Sequence, residues 1–223
     1  VFPKQAKAAD DEAIKFELGK DDSFCLQQKI SQAIGQTNEW LLIGGPPCQA
    51  YSLAGRSRNA GNAEYVAEKD HRHFLYKEYL KIIADHWPSV FVMENVKGIL
   101  SSKINDSSIF QKIIKDLKDP GKAVDGQKKF KYHLLSFVAE EKIISEESTS
   151  FTVRSEEYGI PQARHRVIIM GVRNDIIEKN GFPQHLKKVE TLPLDEFICL
   201  PNLRSTISSR VKIKDTFDNW LSL

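Results

Sequence analysis

Cysteine is scarce in this chain of 223 residues: Cys25, Cys48 and Cys199 are odd in number and widely spaced, with no Cys-x-x-Cys pair. That spacing excludes the usual zinc patterns, so no metal site is expected, and it predicts a protein of the reducing cytoplasm. Long apolar runs are lacking too. No segment reads as a membrane span, and the opening residues are charged where a secretory leader would be apolar. An excess of one charge sign is also absent, the net charge being +2. No global field therefore draws the chain to nucleic acid, and any such attraction must be local. Its best local sources are Arg164, His165, Arg166 and Arg173, with Arg204, Arg210, Lys212 and Lys214 in the tail.

What is present reads as one globular domain of moderate size, 41% hydrophobic and 28% charged, long enough to bury a sizeable core. Apolar strands alternate with amphipathic segments. The pattern predicts helices over 24–34, 74–87 and 109–117, and strands over 40–44, 89–94, 131–138 and 166–172. Residues 52–70 form a long loop, residues 119–126 a turn-rich break, and after Gly181-Phe-Pro183 the periodicity dissolves. Strands alternating with helices indicate an open α/β sheet.

Three clusters carry chemistry. In Trp40-Leu-Leu-Ile-Gly-Gly-Pro-Pro-Cys48-Gln-Ala-Tyr-Ser52 a short apolar strand ends in two glycines. Two prolines then fix two φ angles and remove two donors, which presets a stiff loop carrying a thiol. Such a loop at a strand's carboxyl end is where open α/β sheets place their chemistry; the bland alternative is a small buried hydrophobe. In Val90-Phe-Val-Met-Glu94-Asn95-Val96 a second strand runs into an acid and an amide. Desolvation there disfavours the charged carboxylate, so Glu94 is a candidate proton donor, with helix capping as the alternative. In Tyr158-Gly-Ile-Pro-Gln162-Ala-Arg164-His-Arg166 the amide and two guanidiniums alternate. A strand would aim all three into one cleft, suited to a phosphate and a polar base edge; a solvated edge strand is the alternative.

Taken together and in this order, these motifs resemble those of the cytosine-5 DNA methyltransferases. The family's Pro-Cys-Gln nucleophile motif is similar to Gly45-Pro-Pro-Cys48-Gln49 with Ser52 downstream, its Glu-Asn-Val motif to Glu94-Asn95-Val96, and its Gln-x-Arg-x-Arg motif to Gln162-Ala-Arg164-His-Arg166. A weaker element resembles Asp70-His-Arg72 with Leu75. The resemblance implies a Rossmann-like, S-adenosylmethionine-dependent methyltransferase fold: an open, mostly parallel sheet with helices on both faces, incomplete at both ends. It implies a partial catalytic domain over 1–183 and a linker over 184–223 toward a target recognition domain. The implied partner is double-stranded DNA with one flipped cytosine. Cys48 would add to C6 of that base, Glu94 would protonate N3, and Arg166 would hold O2, with Arg164 and Gln162 bracing the loop or neighbouring groups. Pro47 and Leu75 would touch the cofactor, Gln49, Ser52, Arg72 and Gln162 the DNA, and Asn95 would be structural.

One departure stands beside these matches. The family's glycine-rich turn, one wall of the cofactor site, has no counterpart in residues 1–47, where only Gly19, Gly35, Gly44 and Gly45 occur. Acids that could contact ribose or adenine are Asp10, Asp11, Glu12, Asp21 and Asp22. The chain is accordingly expected to be a fragment that is inactive alone. Two other readings stay open: a relative acting on transfer RNA, which usually carries Thr where Ser52 stands, and a non-catalytic binding remnant.

Overall fold

The computed structural model describes residues 2–47, 75–104, 107–126, 128–138, 148–160 and 162–189. By internal contacts the chain forms two units, residues 1–153 with 165–187, and residues 154–164 with 188–223.

In the larger unit helix α1 (Pro3–Glu12) buries nothing, whereas α2 (Ser23–Ile34) is capped by the Asp22 carboxylate, which accepts from the Phe24 N–H. Strand β1 (Leu41–Gly44) follows, and then α3 (Tyr76–His86). Tyr76, Tyr79, Leu80 and Ile83 recur at helical spacing and are buried. The helix stops at Trp87, whose φ of 50° closes it just before Pro88, a residue that cannot continue the hydrogen-bond ladder. Strand β2 (Val90–Val96) comes next, then a 3-10 turn and the two-residue strands β3 (Lys103–Ile104) and β4 (Ser107–Ser108), paired with each other. Helix α4 (Ile109–Lys118) is capped by the Ser108 hydroxyl and buries Ile109, Phe110, Ile113, Ile114 and Leu117. Each such side chain contributes about 1.5–3 kcal/mol when fully buried. A short helix, α5 (Pro120–Ala123), begins at the capping Asp119. Strands β5 (Tyr132–Ser136), β6 (Thr152–Arg154) and β7 (His165–Arg173) and helix α6 (Asn174–Asn180) complete the order.

The main sheet has the strand order β1-β2-β7-β5, with β6 pairing β7 off this path. Strands β1 and β2 are parallel, while β7 is antiparallel to both β2 and β5. Three of these four strands thus share one direction and β7 alone is inverted between two of them. Side chains alternate across the sheet. Phe91, Met93, Leu134, Val167 and Ile169 join one core with α3 and α4, and Leu135 and Val172 join a second with Ile177 of α6. The α/β class and the helices on both faces are therefore as the sequence predicts.

Inside the smaller unit, Glu157 takes ion pairs from Arg154 at 3.4 Å and Lys188 at 2.7 Å, and its carbonyl accepts from the Val189 N–H at 3.0 Å. The hydrogen bond from Lys188 holds the Glu157 carboxyl below its ordinary range.

Candidate active site at the ends of β1 and β2

Four consecutive residues, Gly44 to Pro47, leave the carboxyl end of β1, and each glycine yields its side-chain space to a neighbour. Gly44 pairs with Met93 of β2, and a methyl group added to it would stand 2.4 Å from the ring of Tyr79. That ring is buried and its hydroxyl donates to the Val92 carbonyl at 3.0 Å. Burial pushes the Tyr79 phenol well above its ordinary range, so it stays protonated and remains a donor. A methyl group on Gly45 would lie 3.2 Å from Oε2 of Glu94. Pro46 is buried, and its carbonyl accepts from Asn95 Nδ2 at 3.3 Å. Asn95 Oδ1 in turn accepts from the Val96 N–H at 2.9 Å, so this buried amide has partners at both ends. This amide links the Pro46 carbonyl to β2.

Glu94 lies within β2 rather than beyond it, because the strand continues to Val96. In the antiparallel register Glu94 faces Ile168 and Val96 faces Arg166. Glu94 and Arg166 are therefore diagonal neighbours on one face of the sheet, within reach of long side chains. Nε of Arg166 sits 2.8 Å from Glu94 Oε1. The two form a close ion pair, yet the Nε–H is not aimed at the carboxylate and is buried without a hydrogen-bond acceptor among the described residues. Nη1 of Arg166 donates to its neighbour's carbonyl, that of His165, at 2.8 Å. The desolvation expected of Glu94 is not found, its side chain being 44% exposed.

The expected alternation of Gln162, Arg164 and Arg166 on one strand face is not found either. Strand β7 begins at His165, and the two preceding motif residues lie in the smaller unit. There the N–H of Gln162 bonds to the Ile160 carbonyl at 2.8 Å and that of Arg164 to the Gln162 carbonyl at 2.9 Å. Bonds between residues two apart coil the backbone tightly, which an extended strand cannot do. The Ser155 hydroxyl closes this turn, donating to the Gln162 carbonyl at 2.6 Å and accepting from the Arg164 N–H at 3.0 Å.

Arg173, read from the sequence as a source of attraction for nucleic acid, is structural instead. It is 7% exposed, holds Asp175 through Nε at 2.7 Å and Nη2 at 3.0 Å, donates to the Trp87 carbonyl at 2.6 Å, and lies 4.4 Å from the centroid of the Phe130 ring. Asp22 caps α2, and Asp21 accepts from the Glu17 N–H at 2.6 Å. Pro47 is exposed and Leu75, the N-cap of α3, is half-buried. Cys48, Gln49, Ser52 and Arg72 lie outside the described residues. The structure thus brings together Pro46, Glu94, Asn95 and Arg166. Tyr79 and Ser155 had not been singled out as supports. A glycine doublet at a strand end, which signals close approach of another group, was the available sign for Tyr79. A serine placed ahead of a turn was the sign for Ser155.

An α/β sheet thus carries a paired carboxylate and guanidinium close to Gly45, at the edge where open α/β sheets bind their ligands. A family model described as C-5 cytosine-specific DNA methylase matches residues 26–219. The chain belongs to that family, and its sheet flanked by helices is consistent with the methyltransferase fold. It is 36% identical over 161 residues to the type II methyltransferase M.Bpa9945I of Bacillus paralicheniformis, covering 72% of this chain and 31% of that protein. It is 32% identical over 182 residues to M.FnuDI of Fusobacterium nucleatum, covering 81% of this chain and 41% of that protein. To M.BspRI of Lysinibacillus sphaericus it is 30% identical over 144 residues, 65% of this chain and 26% of that protein. The chain thus spans less than half the length of each of these relatives.

Proposed function

We propose that this chain carries the catalytic groups of a DNA cytosine-5 methyltransferase, which methylates C5 of a cytosine turned out of duplex DNA. The relatives' shared description as type II methyltransferases supports a place in restriction and modification. The observation that carries the reading is the close ion pair of Arg166 with Glu94 near Gly45, in which the buried Nε–H has no hydrogen-bond acceptor among the described residues. A pyrimidine edge offers the complement: O2 to take the guanidinium's N–H, and N3 to meet the carboxyl. As the Cys48 thiolate forms a bond to C6, the electron pair displaced from the ring's double bond must be accommodated. A proton from Glu94 reaching N3 accomplishes this and leaves C5 nucleophilic. Gln49, Ser52, Arg72, Gln162 and Arg164 are proposed to hold the duplex, and residues 1–183 to form the catalytic part.

Family membership implies S-adenosylmethionine, which supplies an electrophilic methyl group. The described residues do not by themselves fit it. Gly44 and Gly45 are filled by Tyr79 and Glu94, and Gly19 and Gly35 occupy isolated turns with φ of 82° and 62°. No glycine cradle for the cofactor is built among the described residues, and Pro47 and Leu75 would line only one side.

The test is covalent trapping of the full-length protein on duplex DNA containing 5-fluorocytosine with S-adenosylmethionine present. Wild type should give an adduct stable to denaturation and Cys48→Ser none. An adduct that persists in the serine variant removes Cys48 from the mechanism.

A further inference from the structure

We infer that Ser155 is a positioning residue for the Gln162–Arg164 turn, and that its hydroxyl presets this turn for binding to the DNA backbone. The inference rests on the methyltransferase reading and deepens it. Ser155 is the point at which the segment 155–164 closes on itself. Its N–H donates to the Arg164 carbonyl at 3.3 Å, and its carbonyl accepts from the Tyr158 N–H at 3.0 Å and the Ile160 N–H at 3.3 Å. These backbone bonds need no particular side chain. The hydroxyl adds what only serine or threonine can add, a group that donates to the Gln162 carbonyl and accepts from the Arg164 N–H at once. Among the described residues the Arg164 N–H is otherwise bonded to the Gln162 carbonyl alone, in the tight geometry of residues two apart.

Gln162 and Arg164 are themselves exposed, so burial among the described residues does little to order them. Besides those backbone bonds, the side-chain group that holds their backbone among the described residues is the Ser155 hydroxyl. A turn fixed before the duplex arrives loses less conformational freedom on binding, and this favours affinity without touching the reacting atoms. Ser155→Ala deletes the hydroxyl and leaves every backbone bond possible, outside both hydrophobic cores. Ser155→Thr keeps the hydroxyl.

The experiment measures the rate of adduct formation by the full-length protein against duplex concentration, using duplex in which every cytosine is 5-fluorocytosine, so that any target sequence is represented. For Ser155→Ala the half-saturating duplex concentration should rise by about threefold to tenfold, the loss of one or two ordinary hydrogen bonds, with the maximal rate nearly kept. Ser155→Thr should restore it. Amide hydrogen exchange at Arg164 should accelerate in the alanine variant and not in the threonine variant. Unchanged half-saturation, an effect on the maximal rate alone, or a threonine variant that behaves as alanine overturns the inference. Absence of any wild-type adduct overturns the methyltransferase reading, and a role for this turn on DNA with it. The Arg164 exchange rate then still shows whether Ser155 holds the turn, so the two failures are distinguishable.

Discussion

At the scale of single residues, two adjacent glycines do different work. Gly44 gives way to a tyrosine ring and Gly45 to the carboxyl of Glu94. Gly44→Ala forces a methyl group against Tyr79, a buried ring with no free end to swing aside. The expected cost is about 1–3 kcal/mol, read as a lower denaturant midpoint with an unchanged slope. Glu94→Gln keeps the shape of the side chain and removes the acid. General acid catalysis typically supplies ~10²–10⁴-fold, so methyl transfer by the full-length protein should fall within that range. A variant within twofold of wild type contradicts the assignment. Thermal melts of wild type and Glu94→Gln should nearly coincide, because the half-exposed carboxyl is not part of the core.

At the scale of elements, Arg173 and Asp175 join the end of β7 to the start of α6. The hydrogen bonds from Arg173 hold the Asp175 carboxyl below its ordinary range. A carboxyl whose value is depressed in the folded state stabilises the protein above its unfolded value, about 3.9 for aspartate. That contribution fades as pH falls below it through the folded value. Asp175→Asn should therefore lower stability at neutral pH by about 1 kcal/mol, since solvent screens the partly exposed carboxylate. Urea unfolding at pH 7 and pH 3 checks this, with the gap between wild type and variant closing in acid. The elements themselves were largely legible. Predicted helices 24–34, 74–87 and 109–117 stand as Ser23–Ile34, Tyr76–His86 and Ile109–Lys118, because their apolar periods are strong. Helix α1 was missed because it buries nothing and so leaves no apolar stripe to read. Helix α5 was hidden in a Pro-Gly context that reads as a turn. What the sequence could not show was the inverted β7: the residue pattern of a strand is the same in either direction. It is that inversion which sets Arg166 diagonally from Glu94, so the motifs were legible while their pairing was not.

For the molecule as a whole, the glycines among the described residues are taken up by packing or isolated turns, and calorimetry should accordingly show very weak binding of S-adenosylmethionine by the 223-residue chain. Tight binding would show that a cofactor turn is built from residues outside those described. The placement of β7 has a further consequence, in the timing of folding. Its two neighbours, Val90–Val96 and Tyr132–Ser136, are made earlier in the chain and do not pair with one another. Until residue 173 emerges, a growing chain holds a two-stranded ribbon and a separate strand, each with unsatisfied edges. The late strand must enter between them, a long-range closure that slows folding and prolongs exposure of those edges. A ribosome-stalled chain ending before His165 should thus be open to protease at β2 and β5. One released past Gly181 should be protected at both strands together, and in that step the carboxyl of Glu94 first meets its guanidinium.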